Sequence, residues 1–233
     1  MIKLYYPGLI EIDNKRKLAI RNTSSPIAII SYRTTLTIRK NPNDYSTNCP
    51  NSKNIENIIN NIIESIKTVV PFIEDIINAI CEEKNYKQII IKILEQTYFL
   101  PENFKDSFEF PFYLERKDKK NQGYPSGLYL RVRENLNELI LDYINVIGQY
   151  LYYLLIKNQG NNNENSNIYA FSFGIYLEKV YSNKTHINTD ERFKRYNVSH
   201  EESLKLIKTF ENDKEKDSES IIEFYNYLKS KNS

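Results

Sequence analysis

The chain has 233 residues, with 32 basic and 30 acidic side chains and a formal net charge of +2. Hydrophobic residues make up 40% of the sequence, which is too many for wholesale disorder, and the length allows a sizeable core without disulfides or metals. The near balance of charge excludes a whole-molecule field of the kind that drives non-specific nucleic-acid binding. We expect one folded domain over residues 1–233.

Cys49 and Cys81 are the two cysteines, and neither belongs to a CxxC motif or has a histidine nearby in the sequence. This spacing indicates free thiols in a reducing compartment and does not predict a disulfide framework or a zinc site. The first residues contain no apolar stretch of signal-peptide length. We therefore expect a cytoplasmic protein.

Residues 1–40 have the alternating character of strands, and turn residues divide them into three short runs. In the third run the apolar residues share one parity, and the polar residues share the other. The polar set is Ser31, Arg33, Thr35, Thr37 and Arg39. This pattern predicts an antiparallel meander with one face in the core and one face in water.

Residues 52–100 repeat apolar side chains at helical spacing. Pro71 stands where a first-turn proline would, so we predict that it begins a second helix, and Pro101 ends a third. Residues 107–127 are predicted to form an irregular strand and a charged loop, because Pro111 confines a strand to an edge.

Residues from about 128 to 157 contain two adjacent apolar stripes, which predict a long helix that is apolar nearly all round. Asp142, Asn145 and Gln149 interrupt the stripes. An acidic group near the centre of a membrane-spanning helix costs a few kcal/mol, so we interpret this segment as a central core helix.

The remaining segments complete an α+β prediction. Residues 158–167 form an asparagine-rich polar loop that we expect to be mobile, and residues 168–181 alternate like a strand that rejoins the amino-terminal sheet. Ser199 and Glu202 have the spacing of a capping box, and residues 199–233 are predicted to be helical. The predicted fold is an antiparallel sheet, built from the amino-terminal strands and the 168–181 strand, packed on a helical layer with a long central helix.

Catalytic and cofactor motifs are missing from the sequence. Neither GxGxxG nor GxxxxGK occurs, so we expect no nucleotide cofactor, and GxSxG is absent as well. His186 and His200 are the two histidines, and both are interpreted as polar surface residues. We expect no resident metal and lean away from an enzymatic function.

One weak pattern resembles the metal-binding groups of nucleases: Asp106, then an extended run, then Glu115 and Lys117. Pro111 lies inside that run, which favours a charged loop beside an edge strand instead. A second acidic and basic set alternates in sign and is interpreted as a solvated surface. Its members are Glu178, Asp190, Glu191, Arg192, Lys194 and Arg195.

The candidate binding surface is the polar face of the third run, Arg33, Thr35, Thr37 and Arg39. Arginine and threonine side chains on a strand contact phosphates without base readout, and an ordinary protein interface uses the same residue types. We therefore predict a non-enzymatic interaction or assembly subunit of a larger intracellular complex, which meets a protein partner through this basic strand face and a tyrosine-rich surface. The alternatives are a nucleic-acid-binding or metal-dependent nuclease-like factor and, less favoured, a membrane-acting, pore-forming effector.

Overall fold

A computed structural model of the chain describes residues 9–13, 16–23, 28–31, 35–39, 52–80, 86–100, 111–114, 126–131, 133–155, 166–213 and 220–232. Over these residues the protein is mostly helical with a mixed sheet, which confirms the α+β class. Most of the predicted loop 158–167 lies outside the described residues, and its last two residues belong to a helix.

The described residues form seven strands and seven helices. The strands are β1 Leu9–Asp13, β2 Arg16–Thr23, β3 Ala28–Ser31, β4 Thr35–Arg39, β5 Thr97–Leu100, β6 Phe112–Leu114 and β7 Gly127–Arg131. The helices are α1 Ser52–Ile80, α2 Tyr86–Glu95, α3 Leu136–Leu155, α4 Ser166–Thr185, α5 Asp190–Ser199, α6 Glu201–Asn212 and α7 Ile221–Asn232. The chain divides into two compact units, Met1–Tyr143 (unit 1) and Ile144–Ser233 (unit 2), and the division falls inside α3.

The sheet belongs to unit 1 and has the strand order β1-β2-β4-β3-β5-β7-β6. β2 pairs with β4 in parallel, as β5 does with β7, and the other neighbours are antiparallel. The predicted meander is therefore wrong in its connections, because β4 lies between β2 and β3. Alternation along one run defines which residues share a face, but it carries no information about which strand lies beside it.

α1 is one continuous helix of 29 residues with Pro71 inside it, so the predicted helix break at this proline is wrong. Proline removes one backbone hydrogen bond and strains the preceding turn, at a cost of about 3 kcal/mol. The ring of Pro71 is exposed, and apolar residues on both sides of it are buried. These residues are Ile62, Ile66, Val69, Val70, Ile73, Ile76 and Ile77. Their burial holds the helix together across the proline.

Two segments predicted as helix are strands instead. Residues 97–100 form β5, and residues 127–131 form β7, so the helix predicted at about 128–157 begins only at Leu136. Leu128, Tyr129 and Leu130 are all buried, so this short run is apolar on both faces and its periodicity does not separate helix from strand. Asn135 supplies the helix start, since its Oδ1 accepts hydrogen bonds from the backbone N–H groups of residues 137 and 138.

α3 is buried along every residue from Leu139 to Tyr152. Its polar residues Asp142, Asn145 and Gln149 are buried with the rest, and each forms hydrogen bonds within the protein. These bonds remove the cost of burying polar groups.

Residues 168–181 are not a strand, because they lie inside the 20-residue helix α4. Residues of both parities are buried in it, among them Tyr169, Ala170, Phe173 and Tyr176. A helix that is apolar on nearly all sides has no polar face, so its sequence shows no 3.6-residue period. The apolar residues of this segment also alternate by chance, and that alternation led to the prediction of a strand. The predicted sheet that included this segment is therefore wrong in that part.

α4 packs against α6 and α7 in unit 2, and aromatic side chains form much of the contact. The ring of Phe224 in α7 lies 4.2 Å from that of Tyr176 and 4.9 Å from that of Phe210, measured between centroids. Tyr176 and Phe210 meet edge to face at 5.8 Å. Aromatic pairs at these separations contribute about 0.5–1.5 kcal/mol each beyond their buried area.

α3 and α4 approach each other at two glycines. A Cβ atom added to Gly148 would lie 2.6 Å from the Cα of Gly174, and one added to Gly174 would lie 2.5 Å from the carbonyl oxygen of Asn145. Cβ atoms essentially never lie this close to a neighbouring atom, so only glycine fits at these positions without a shift of the backbone. The backbones are in direct contact at this point.

Gly174→Ala tests this contact. Alanine stabilises an ordinary helix position by about 1 kcal/mol relative to glycine, whereas here the methyl group meets backbone atoms. We expect a loss of about 2–3 kcal/mol, as is typical of overpacking, which lowers the melting temperature by about 4–12 °C in a chain of this size. Thermal unfolding followed by circular dichroism measures it.

Asn197→Ala, at an exposed position of α5, is the matched helix-surface control, and we expect it to leave the melting temperature unchanged or slightly higher. A Gly174→Ala protein as stable as the control would show that α3 and α4 do not touch at this position.

Candidate functional site

A fully buried carboxylate lies in unit 2. Glu178 of α4 is 0% exposed, and Arg192 of α5 is 4% exposed. Glu178 follows Gly174 by four residues, so both lie on one side of α4. The helix side that touches the backbone of α3 therefore also carries the acid.

Four hydrogen bonds end on the Glu178 carboxylate. Arg192 donates from Nε to Oε1 and from Nη2 to Oε2, the second over 3.3 Å. The Asn145 amide donates to Oε2 over 3.0 Å, and the Tyr196 hydroxyl donates to the same oxygen over 2.9 Å. The carboxylate is thus bound by a guanidinium fork on one side and by two neutral donors on the other.

Two further bonds complete the cluster. The Gln149 amide donates to Oδ1 of Asn145 over 2.8 Å, which leaves the Asn145 amide nitrogen directed at Glu178. Asn145 also donates to the Tyr196 hydroxyl over 3.3 Å. We call Asn145, Gln149, Glu178, Arg192 and Tyr196 the Glu178 cluster.

Burial raises the pKa of Glu178 because the charged form loses its water. The positive charge of Arg192 opposes that shift, and so do the hydrogen bonds from Arg192, Asn145 and Tyr196. Each carboxylate oxygen already accepts a bond from a protein donor. The arrangement suits an anchor that joins three helices, whereas a general acid or base needs access to a substrate proton.

A second buried acid, Asp142, lies in unit 1. Its Oδ2 accepts a bond from Arg133 Nε over 3.0 Å, and Asn61 of α1 donates to the carbonyl oxygens of Arg133 and Glu134. These contacts connect α1 and the start of α3 through the segment that follows β7. Both buried acids of the described core are therefore ion-paired.

Tyr143 and Tyr150 of α3 are also buried. Tyr143 shares a hydrogen bond with Thr97 over 3.2 Å, and burial raises its pKa. Burial also raises the pKa of Tyr150 to about 12. Both hydroxyls therefore keep their protons at neutral pH and do not act as bases.

His186 and His200 have structural positions. His186 has a φ of 58° and follows the end of α4, where the backbone N–H of Ile187 bonds to the carbonyl of Ser182 over 3.1 Å. This is the geometry of a Schellman helix ending. His200 separates α5 from α6, and its ring stacks on Phe171 with centroids 4.4 Å apart.

The predicted capping box is wrong in its residues. Ser199 is the last residue of α5, and its hydroxyl donates back to the carbonyl of Arg195. His200 is the residue before α6 and makes no side-chain cap. The Ser-x-x-Glu spacing therefore falls across a junction between two helices.

Only some of the predicted site residues belong to the part of the chain that the structure describes. Thr35, Thr37 and Arg39 lie on β4, and their backbone partners on β2 are Ala19, Arg21 and Thr23 in that order. Arg33, Asp106, Glu115 and Lys117 lie outside the described residues. Their proposed roles stay predictions.

The interpretation of the second charged set as a solvated surface is wrong for Glu178 and Arg192, which are buried and paired. It holds for the exposed side chains, such as Lys194 and Glu191, which form an i, i+3 pair in water. The sequence does place Glu178 directly after an apolar run. That position indicates a buried acid only if the run is known to be a helix.

Two absences apply to the described residues alone. Within them, no three histidine, cysteine, aspartate or glutamate side chains come together as a metal site. Across the same residues, none of the helices combines the length and the apolar character needed to cross a membrane.

No protein-family model, no curated protein and no solved structure matches this chain.

Tyr152→Phe and Tyr196→Phe form a matched pair of changes with opposite expected signs. The hydroxyl of Tyr152 is buried without a hydrogen-bond partner in the described part of the chain, and removing it relieves a cost of about 1–2 kcal/mol. The hydroxyl of Tyr196 is bonded to Glu178 and Asn145, so its removal lowers stability by about the same amount. Urea unfolding of both variants compares the two values, and equal shifts would contradict these assignments.

His186→Gly tests the positive φ at the end of α4. Glycine adopts this conformation without strain, so we expect a gain of about 1 kcal/mol and a melting temperature about 2–4 °C higher. His200→Gly is the control, because His200 has a φ of −135°, where glycine relieves no strain, and the change removes its ring contacts with Phe171 and Tyr196. A stabilised control, or a destabilised His186→Gly protein, would contradict this account.

Proposed function

We propose that this protein is a non-enzymatic interaction or assembly subunit of a larger complex, which meets a protein partner through a basic strand face. The observation that supports the proposal most is the register of β2 and β4. Arg21 lies beside Thr37, and Thr23 lies beside Arg39, in a parallel ladder. Directly paired positions share a face of the sheet, so two arginine and two threonine positions fall together.

The interior of the protein agrees with a non-enzymatic role. The two buried acids of the described core, Glu178 and Asp142, are held in ion pairs with Arg192 and Arg133. Catalytic acids need a free lone pair or a labile proton facing a cleft. These acids instead bind other elements of the same chain.

The proposed partner presents an acidic surface. The register aligns the positions of Arg21, Thr37, Thr23 and Arg39, and residues of these two types carry positive charge and hydroxyl groups. Complementary charge across an interface speeds association and selects the partner, even where it adds little net affinity. The predicted contribution of Arg33 belongs to the same proposal.

The finer architecture is also part of the proposal. The amino-terminal strands form a sheet that packs on a helical layer, and contacts of α1 with β1 and of α2 with β3 support this arrangement. A cytoplasmic location is proposed with it, because neither of the two cysteines has the spacing of a disulfide framework.

The same ladder favours a second candidate, a nucleic-acid-binding factor. Arginine and threonine side chains on a strand bind phosphates, and such binding weakens steeply with salt. The nuclease-like version of this candidate depends on Asp106, Glu115 and Lys117. It predicts Mg²⁺-dependent degradation of nucleic acid that Glu115→Ala abolishes.

The test uses the full chain with Arg21→Glu and Arg39→Glu combined, as bait in a lysate of the native host. We expect the wild-type protein to retain a stoichiometric protein partner after nuclease treatment, and the double variant to retain about tenfold less of it, because two attractive charges become repulsive. Lys184→Glu with Lys208→Glu makes the same change in charge at exposed positions of unit 2 and should bind like wild type.

The outcomes separate the candidates. Nucleic acid that co-purifies at low salt and is lost at moderate salt or after nuclease would favour the second candidate. A wild-type chain recovered alone under all conditions would contradict both. Equal loss of the partner in the double variant and its control would show that net charge matters, not the strand face.

A further inference from the structure

α5 is an unusually polar helix with little of its own surface buried. Two of its ten residues, Arg192 and Tyr196, are buried, and Phe193 is half-buried. The other seven are exposed, including Val198 at 89%. A helix of this length is not stable alone in water, so α5 depends on its docking contacts.

Both buried residues of α5 bind the same acceptor. Arg192 and Tyr196 are four residues apart and therefore lie on one face of the helix, and both donate to the Glu178 carboxylate. The Arg192 guanidinium also lies 5.6 Å from the centre of the Tyr196 ring, which orders the two side chains together. The hydrogen bonds that Arg192 and Tyr196 donate thus converge on one side chain of α4, and α5 also contacts α6.

The neighbours of α5 are attached to unit 2 by contacts of their own. α6 buries Leu204, Ile207 and Phe210, and its Ser203 hydroxyl donates to a backbone carbonyl of α4 over 3.1 Å. Lys179 of α4 pairs with Glu211 of α6 over 2.5 Å. α4 ends in its own hydrogen-bonded turn before α5 begins. None of these contacts needs α5 to be docked.

The segments that flank α5 are short. Residues 186–189 join it to α4, and the single residue His200 joins it to α6. The start of α5 is held by the Asn188 side chain, which accepts from the backbone N–H of Asp190 over 2.9 Å, and Thr189 adds no side-chain cap. Because both connections are this short, α5 opens by unfolding locally between fixed ends and not by moving away as an intact helix.

We propose that α5 is a strap that the Glu178 carboxylate holds closed, and that it opens as a local unit while α3, α4 and α6 stay packed. Opening uncovers a recess formed by Glu178 and Asn145, beside the contact of Gly148 with Gly174. The recess offers a carboxylate and an amide, and Arg192 fills it in the closed form. Its chemistry suits a guanidinium or ammonium group.

Energetics favour this element as the first to open. Breaking a buried ion pair by removing one partner is far more costly than losing an exposed pair, so the free energy of docking is concentrated in the Glu178 cluster. Local openings of proteins involve elements with few buried apolar contacts, and α5 buries no aliphatic side chain. A change at Glu178 should therefore act on α5 before it acts on the rest of unit 2.

The experiment compares amide hydrogen exchange in the full chain for wild type, Glu178→Gln and Glu211→Gln. Glutamine keeps the size of the side chain but removes the charge that Arg192 needs, so we expect exchange in residues 190–199 to accelerate about 100-fold. Exchange in α4 and α6 should change less than threefold. Glu211→Gln removes the charge of the half-buried partner of Lys179 and should leave α5 at the wild-type rate.

Limited trypsin digestion gives a second readout, because α5 contains Arg192, Lys194 and Arg195. We expect the first cut in Glu178→Gln to fall within α5, with wild type and Glu211→Gln resistant there at the same enzyme concentration. Tyr196→Phe serves if Glu178→Gln does not fold, since it removes one bond to Glu178 and should accelerate exchange in α5 roughly tenfold.

Two results would overturn the proposal. Equal acceleration in α4, α5 and α6 would show that Glu178 supports the whole unit and not a strap. Exchange in α5 that stays at the wild-type rate in both Glu178→Gln and Tyr196→Phe would show that other contacts hold the helix closed.

Discussion

The contact of Gly148 with Gly174 is the constraint on which unit 2 depends. Two helices normally keep their axes 8–10 Å apart because side chains lie between them, and here the backbones themselves touch. Asn145 precedes Gly148 by three residues, and Glu178 follows Gly174 by four, so the contact brings this amide and this carboxylate into hydrogen-bond range. Larger residues at the glycines would separate the pair and break this buried hydrogen bond.

The buried carboxylate in turn determines where the next helix docks. Desolvation makes Glu178 costly to bury, and Arg192 with two neutral donors offsets that cost. An apolar pair of similar volume would bury itself with less penalty but would not select one orientation of α5. The ion pair therefore determines the orientation of α5 more than it adds to the free energy of folding. Only one placement of α5 satisfies both the Arg192 guanidinium and the Tyr196 hydroxyl.

The two proposals concern different parts of the chain and different physical effects. The proposed partner surface relies on positions of β2 and β4 that the backbone register aligns. The proposed strap relies on side chains buried in unit 2. A partner that binds the strand face needs no opening of α5, and an opening of α5 needs no partner on the sheet. Their experiments therefore succeed or fail independently.

The order of charged residues along the chain does not predict which of them are buried in the candidate site. Arg192 and Lys194 stand two positions apart in one charged segment, yet one is buried against Glu178 and the other is exposed to water. On a helix this spacing places the two side chains on different faces. The burial of Arg192 could therefore be inferred only if the segment was known to be helical. The partner of Arg192 lies 14 residues earlier, in a segment that alternation assigned to a strand.

By itself the sequence determined the α+β class and the helix that begins at Ser52, because the isoleucine spacing of α1 has both an apolar and a polar face. Tertiary structure alone decided the state of α4 and of β7. Residues 172–178 are buried all round α4, and residues 127–130 are buried on both faces of β7. A segment without a solvent-exposed face carries no period that separates helix from strand. It also decided the strand order and the pairing of Glu178 with Arg192. Both depend on which elements become neighbours, and that is a property of packing rather than of any local pattern.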